Sequence, residues 1–224
     1  LNLIDLAGLP LRSDERTVGP LVVGGGCGTA NPEPLAEFFD LFVLGDGEQA
    51  VTDIVLLLEQ GKERGWDRAE LLDRASRIGG VYRPSCYTPE YNEDGALLAT
   101  VPGEGAPARV TKRVDDPDAW LFPREPLVPF CEAVHDRVNI EIFRGCTRGC
   151  RFCQAGMTMR PVRERAAGSV VMMADELTRG TGYDEVSLCS LSSTDYTRIV
   201  DVAGRITDLC EGRHIDLSLP SLRM

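Results

Sequence analysis

The sequence predicts an α/β protein made of a Rossmann-like part, a Pro-rich connector and a second region of strand–helix alternation. Three observations predict it. Residues 20–64 read strand, glycine turn, helix, strand, glycine turn, helix, the order of a parallel sheet with crossover helices. Residues 81–137 carry Pro84, Pro89, Pro102, Pro107, Pro117, Pro123, Pro126 and Pro129, which break any long helix. From Val138 onward the pattern is βαβαβ, which predicts one parallel sheet with right-handed crossovers and a barrel-like curve. The expected divisions are residues 1–65, 66–137 and 138–224.

Each element has a local cause. Leu1 to Leu11 is apolar, ends at Gly8-Leu9-Pro10, and reads as a connecting turn. Pro20 to Val23 is a short buried-strand signal running into Gly24-Gly25-Gly26. Asn31-Pro32-Glu33 combines a cap, a first-turn proline and an acid suited to the helix dipole, so a helix is expected there. Leu41 to Leu44 is the next strand, closed by Gly45-Asp46-Gly47. A helix over Glu48–Arg64 follows, with Val51, Ile54, Val55 and Leu58 on one face. Asp67 caps a helix to about Arg77, with Glu70 three residues on. Val81 to Arg83 and Leu97 to Val101 are expected to form a hairpin around Asn92–Gly95.

In the last region the strands are expected at Val138–Phe143, Glu185–Cys189 and Ile215–Leu219. Ser169 caps a helix to about Arg179, stopped by Gly180 and Gly182. Thr194 to Cys210 is amphipathic, with Tyr196, Ile199, Val200, Ala203, Ile206 and Cys210 on one side and Gly212 at its end.

Composition narrows the class. With 224 residues, 43% hydrophobic, the chain can bury a sizeable core. A net charge of −11 argues against a general nucleic-acid or anionic-membrane surface. Eight cysteines in so core-rich a chain do not make a secreted disulfide scaffold. No apolar run approaches the length of a bilayer span and no signal peptide is visible, so a reduced, cytoplasmic setting is expected. Both ends read as cut, the first within a domain and the second just after a strand.

The chemistry gathers in Cys146-Thr-Arg-Gly-Cys150-Arg-Phe-Cys153, directly after the apolar run that ends at Phe143. Two short gaps place three soft thiolate donors on one tight loop, the arrangement that grips three corners of an iron–sulfur cubane. No fourth cysteine lies nearby on the C-terminal side, so one iron is left open. The sulfurs are expected to point to a common centre. A Cys₃His zinc site completed by His135 is the alternative, although zinc ligands usually come as two separated pairs. A closed iron–sulfur electron-transfer module is the other alternative. A disulfide is disfavoured by the shortness of the loop. Cys27, Cys86, Cys131, Cys189 and Cys210 are scattered and read as small packing residues.

These residues resemble the radical S-adenosylmethionine (radical SAM) superfamily, whose hallmark is CxxxCxφC with an aromatic φ; Phe152 fills that slot. Residues 144–157, 160–165, 187–196 and 217–223 are similar to a subfamily with an N-terminal cobalamin-binding-like domain. The resemblance implies that residues 138–224 are the first half of a (β/α)₆ partial barrel. It further implies a [4Fe-4S] cluster on Cys146, Cys150 and Cys153. The open iron would hold the amino and carboxylate groups of S-adenosylmethionine, which reductive cleavage turns into a 5′-deoxyadenosyl radical. The implied electron donor is a reductase or a flavodoxin- or ferredoxin-type protein. The substrate and catalytic residues are left unassigned.

By the same resemblance Phe152 lies near the adenine. Many members carry Gly-Gly-Glu after the second strand, where this chain has Ser190-Leu-Ser192-Ser193-Thr-Asp195; Ser190, Ser192 and Ser193, with Arg223 after the third strand, are the implied cofactor contacts. Ser193 or Thr194 is equally a helix cap. Arg160, Arg163 and Arg165 either meet carboxylates or form a salt-bridged surface. Gly24 and Gly25 are the implied cobalamin contacts, although the DxHxxG loop of cobalamin domains is missing from these residues. Loops at the carboxyl ends of the three strands are expected to converge on one face.

Overall fold

A computed structural model describes every residue except Leu121, Glu132, Arg223 and Met224. It divides into two compact units, Leu1–Asp115 and Asp116–Met224, which share the residues 66–137 between them.

In the first unit a helix α1 (Asn2–Leu6) stands where a turn was expected. Strands β1 (Val23–Gly24) and β2 (Leu41–Val43) pair in parallel. Between them the expected helix is replaced by two 3₁₀ turns, Cys27–Ala30 and Glu33–Leu35. Pro34, two residues after Pro32, removes a second backbone donor, and a longer helix cannot propagate through both. Helix α2 spans Glu48–Arg64 as predicted and ends on Gly65, whose φ of 67° closes the last turn. Its buried stripe is Ala50, Ile54 and Gly61, while Val51 and Val55 remain 55% and 47% exposed. The helix is rotated because helix α3 (Arg68–Ala75) lies against Gly61, where any side chain would collide with Leu71. Asp67 caps α3 by accepting the Glu70 N–H at 2.8 Å.

Strand β3 (Val81–Tyr82) does not join the hairpin. It pairs antiparallel with β2, because Val81 and Tyr82 are apolar enough to be buried beside Leu41 and Val43. The hairpin is instead β4 (Tyr87–Tyr91) with β5 (Leu97–Pro102), turned at Asn92–Gly95 as expected. A buried Asp40 carboxylate ties the start of β1 to α3: it accepts the Val22 N–H at 2.6 Å and pairs with Arg16 at 3.4 Å and Arg68 at 2.8 Å.

Gly45, at the carboxyl end of β2, has φ +91°. The space a side chain would need is filled by the backbone of Arg113, with its nitrogen 2.8 Å from that point. Arg113 N–H donates to the Leu44 carbonyl at 2.7 Å, and the Asp46 N–H donates to the Arg113 carbonyl at 3.1 Å. Gly45→Ala is therefore expected to cost about 3 kcal/mol, from positive-φ strain plus overpacking. A guanidinium melt of this variant checks it; an unchanged midpoint would contradict the packing reason.

In the second unit β6 (Val138–Glu141) is followed by β7 (Phe143–Arg144), the short helix α4 (Ala155–Thr158) and β8 (Arg163–Glu164). Helix α5 (Ala167–Thr181), β9 (Glu185–Cys189), helix α6 (Ile199–Cys210) and β10 (Asp216–Ser218) complete it. Strands β6, β9 and β10 form one parallel sheet in chain order, with Asn139 opposite Ser187 and Ser187 opposite Ser218. Phe143 does not extend β6; it turns away to pair antiparallel with Glu164 in β8. One sheet face presents Val138, Ile140, Val186 and Leu188 to Val170, Met173 and Leu177 of α5 and Val202 and Ile206 of α6, forming the core.

Helix α5 begins ahead of Ser169 because the Asp118 carboxylate accepts the Ala166 N–H at 2.6 Å, a cap from a distant segment. It ends on Gly182 at φ +74°. Helix α6 begins only at Ile199, and Val200 is 84% exposed. Tyr196 leaves the helical face to bury its ring and donate its hydroxyl to the Arg165 carbonyl at 2.7 Å. Among the described residues no helix is long and apolar enough to cross a membrane.

Candidate functional site

Three loops leave the carboxyl ends of β6, β9 and β10, the edge at which parallel α/β units place their chemistry. The first, after the β7 extension, carries Cys146, Cys150 and Cys153. It can fold tightly because Gly145 and Gly149 take φ +84° and +68°. At Gly145 a side chain would lie 2.6 Å from the Pro161 carbonyl oxygen and 2.8 Å from that of Met159, so the loop's two ends are cinched backbone to backbone. Arg160 adds a bond from its Nε to the Cys146 carbonyl at 3.3 Å.

None of the three cysteines is in a disulfide, and all are half-buried. The Arg148 N–H points at Cys146 Sγ at 3.4 Å and the Gly156 N–H at Cys153 Sγ at 3.3 Å. Gly156 opens α4's first turn, and its missing side chain leaves Cys153 Sγ in ordinary contact distance of that point. The thiols share one loop, and among the described residues no group of three or more His, Cys, Asp or Glu side chains is arranged to hold a single metal ion. The donor set still fits an iron–sulfur cluster in kind, since it is all sulfur and is supplied with the N–H groups that stabilise such sulfurs. His135 belongs elsewhere, its Nδ1 2.9 Å from an Arg137 nitrogen.

The second loop, Ser190–Asp195, is joined to both others. Ser193 is fully buried and its hydroxyl lies 3.1 Å from the Leu188 carbonyl and 2.6 Å from that of Pro220, while its N–H donates to the Ser221 carbonyl at 3.2 Å. Ser190 Oγ is 3.2 Å from Ser193 Oγ and accepts the Ser192 N–H at 3.2 Å. Ser192 is 3% exposed, and its hydroxyl has no hydrogen-bond partner among the described residues. An orphaned buried hydroxyl is costly unless a ligand or water completes it. Asp195 meets the cluster loop: its carboxylate takes both Nε, at 2.6 Å, and Nη2 of Arg148. The Arg148 guanidinium is pushed above its ordinary pKa by the hydrogen bond and charge of Asp195, with Cys146 and Cys150 adding to the effect.

Of the other residues expected here, Phe152 is 92% exposed. Arg165 is committed to structure, donating to the carbonyls of Glu141 at 2.9 Å and of Pro117. Arg163 donates to the Met159 and Pro161 carbonyls at 3.3 and 2.6 Å. Thr147, Arg160, Pro161 and Val162 line a shallow concavity of about 590 Å³ beside Cys146. Arg223 lies outside the described residues. In the first unit Gly24 has an internal reason, because the Phe42 ring lies 2.5 Å from where its side chain would be; Gly25 faces open space. Arg148 and Asp195 were not singled out from the sequence as a pair. The available signal was an arginine between two of the cysteines and an acid on a loop expected to converge with it.

Two family models match the chain. One, for the N-terminal part of radical SAM proteins, matches residues 1–84, and the other, for the radical SAM superfamily, matches residues 140–224. The second takes in all three loops. The chain belongs to the radical SAM superfamily.

A curated relative of this radical SAM chain, an uncharacterized protein of Methanocaldococcus jannaschii, is 28% identical over 197 residues, covering 88% of this chain and 36% of that protein. The solved radical S-adenosylmethionine methyltransferase TsrM of Kitasatospora setae, with cobalamin and a [4Fe-4S] cluster bound, matches at 18% identity and a TM-score of 0.51. That match covers 88% of this chain and 37% of TsrM. A second structure of TsrM, with tryptophan substrate and an S-adenosylmethionine analogue bound, matches at 20% identity and a TM-score of 0.48, over 87% of this chain and 34% of that one. The chain thus spans about a third of the length of these proteins. The first TsrM likeness shows the fold, an α/β architecture whose parallel sheet β6–β9–β10, with α5 and α6 on one face, is the start of a radical SAM partial barrel.

Proposed function

We propose that the complete protein is a radical SAM enzyme that binds a [4Fe-4S] cluster and reductively cleaves S-adenosylmethionine. One observation carries the reading: the three-thiol loop, two of its sulfurs already facing backbone N–H donors, is joined through Asp195 and Ser193 to both other carboxyl-end loops. Cys146, Cys150 and Cys153 would hold the cluster, which when bound supplies an electron-transferring iron with one open coordination position. The protein's own part is binding and orientation. Ser190 and Ser192 are proposed to meet the methionine end of the cofactor, the Ser192 hydroxyl being a group on that loop that a ligand would complete, whereas Ser193, fully buried and bonded to the Leu188 and Pro220 carbonyls, holds the loop in place. Phe152, exposed on the loop, is available to the adenine. A reductase, flavodoxin or ferredoxin in the cytoplasm is the proposed electron donor; the substrate class is left open.

Cobalamin is proposed as a further cofactor of the complete protein on the likeness to TsrM. Gly25, open on its side-chain side, leaves room for such a ligand, whereas Gly24 is filled from within.

The test is anaerobic. Full-length protein, reconstituted to about four irons per chain, is reduced and titrated with S-adenosylmethionine while the paramagnetic resonance spectrum and 5′-deoxyadenosine are followed. The spectrum is expected to change and product to form slowly. An unchanged spectrum without product would leave electron transfer as the function of the cluster.

A further inference from the structure

Within the cluster loop one residue faces both ways. The backbone N–H of Arg148 is directed at the sulfur of Cys146, at 3.4 Å, and its guanidinium grips both oxygens of Asp195 on the loop after β9. The two partners are unequal in freedom. Asp195 closes a 3₁₀ turn, donating its own N–H to the Ser192 carbonyl at 2.9 Å. That turn starts at Ser193, which is fully buried and bonded to the Leu188 carbonyl of β9 and to the Pro220 carbonyl of the third loop. The Asp195 side chain is itself only 17% exposed. Asp195 is therefore the fixed end, and the Cys146–Cys153 loop, cinched at Gly145 and turned at Gly149, is the end whose direction the fork sets. A planar guanidinium that meets a carboxylate with two nitrogens sets direction as well as distance, which a single ammonium does not.

We propose that the Arg148–Asp195 fork is a positioning contact, setting the three cluster cysteines against the Ser190–Asp195 loop so that both loops address one ligand. The proposal rests on the radical SAM reading above. Its role is orientation, distinct from the cysteines' role of holding iron. In this chain the serine-rich second loop ends in an acid that reaches back to the first.

The experiment uses full-length protein with Arg148→Lys, which keeps the charge but not the fork, Asp195→Asn, and the exchanged pair Arg148→Asp with Asp195→Arg. Hydrogen exchange of residues 146–153 is measured before iron is added, and iron content and the spectral titration with S-adenosylmethionine afterwards. Both single variants are expected to load about four irons, exchange faster across the loop, and need about tenfold more S-adenosylmethionine for the spectral change. The exchanged pair is expected to recover most of both. Unchanged exchange and unchanged titration in the single variants would overturn the proposal, as would loss of iron from them, since the fork would then serve cluster assembly. Failure of four-iron wild-type protein to respond to S-adenosylmethionine would instead remove the enzyme reading beneath it.

Discussion

Cys150→Ala is expected to reduce the iron bound after anaerobic reconstitution from about four per chain to fewer than about one. The middle cysteine shares its loop with both other donors, and two remaining thiols cannot retain a cubane that already lacks a fourth protein ligand. The fold should hardly notice. Cys150 is half-buried in a loop, outside both clusters of core residues, and substitutions of that kind usually change stability by less than about 0.5 kcal/mol. Iron and sulfide analysis beside a thermal melt checks both halves of the statement. A variant that keeps four irons would show that the cluster, if present, is held by other residues. One that loses iron only because it unfolds would show up in the melt.

Gly145→Ala is expected to be the most damaging single-methyl change in the second unit. Its φ of +84° already disfavours alanine by about 1–2 kcal/mol. The added carbon would also meet two backbone carbonyl oxygens, of Pro161 at 2.6 Å and Met159 at 2.8 Å, and backbone cannot rotate away as a side chain can. Together these predict a loss of about 3 kcal/mol, a fall in melting temperature of more than about 10 °C, and poorer iron loading because the loop's ends are forced apart. Gly168→Ala is the control. It lies in the first turns of α5 with open space around it, so the same chemical change is expected to be neutral or to stabilise by up to about 1 kcal/mol. Equal melting temperatures for the two variants would refute the argument.

The site and the fold were legible in the sequence to different depths. The thiol loop was legible because ligand spacing is a property of eight consecutive residues. Helix α2 came out with the expected bounds because Gly47 and Gly65 flank it, and stops of this kind act on adjacent backbone. The parallel order of β6, β9 and β10 followed from strand–helix alternation, since short connections leave little choice of topology. Contacts between distant residues were not legible. Asp118 as the cap of α5, Arg113 as the filler of the Gly45 turn and Arg148 as the partner of Asp195 each join segments 47 or more residues apart. No local period or cap signals them.

The sequence by itself determined the family-defining thiol loop, the strand–helix alternation and the exclusion of a disulfide scaffold, because each rests on residue type, spacing and short-range propensity. Tertiary structure alone decided which face of α2 is buried, that Val81 and Tyr82 join the first sheet, and that Phe143 leaves β6 for β8. It alone decided that Ser193 is a buried tie between loops and Arg165 a brace for backbone carbonyls. The physical reason is competition. An arginine, a serine hydroxyl or an unpaired strand edge has many acceptable partners, and only the packing of the whole chain selects among them.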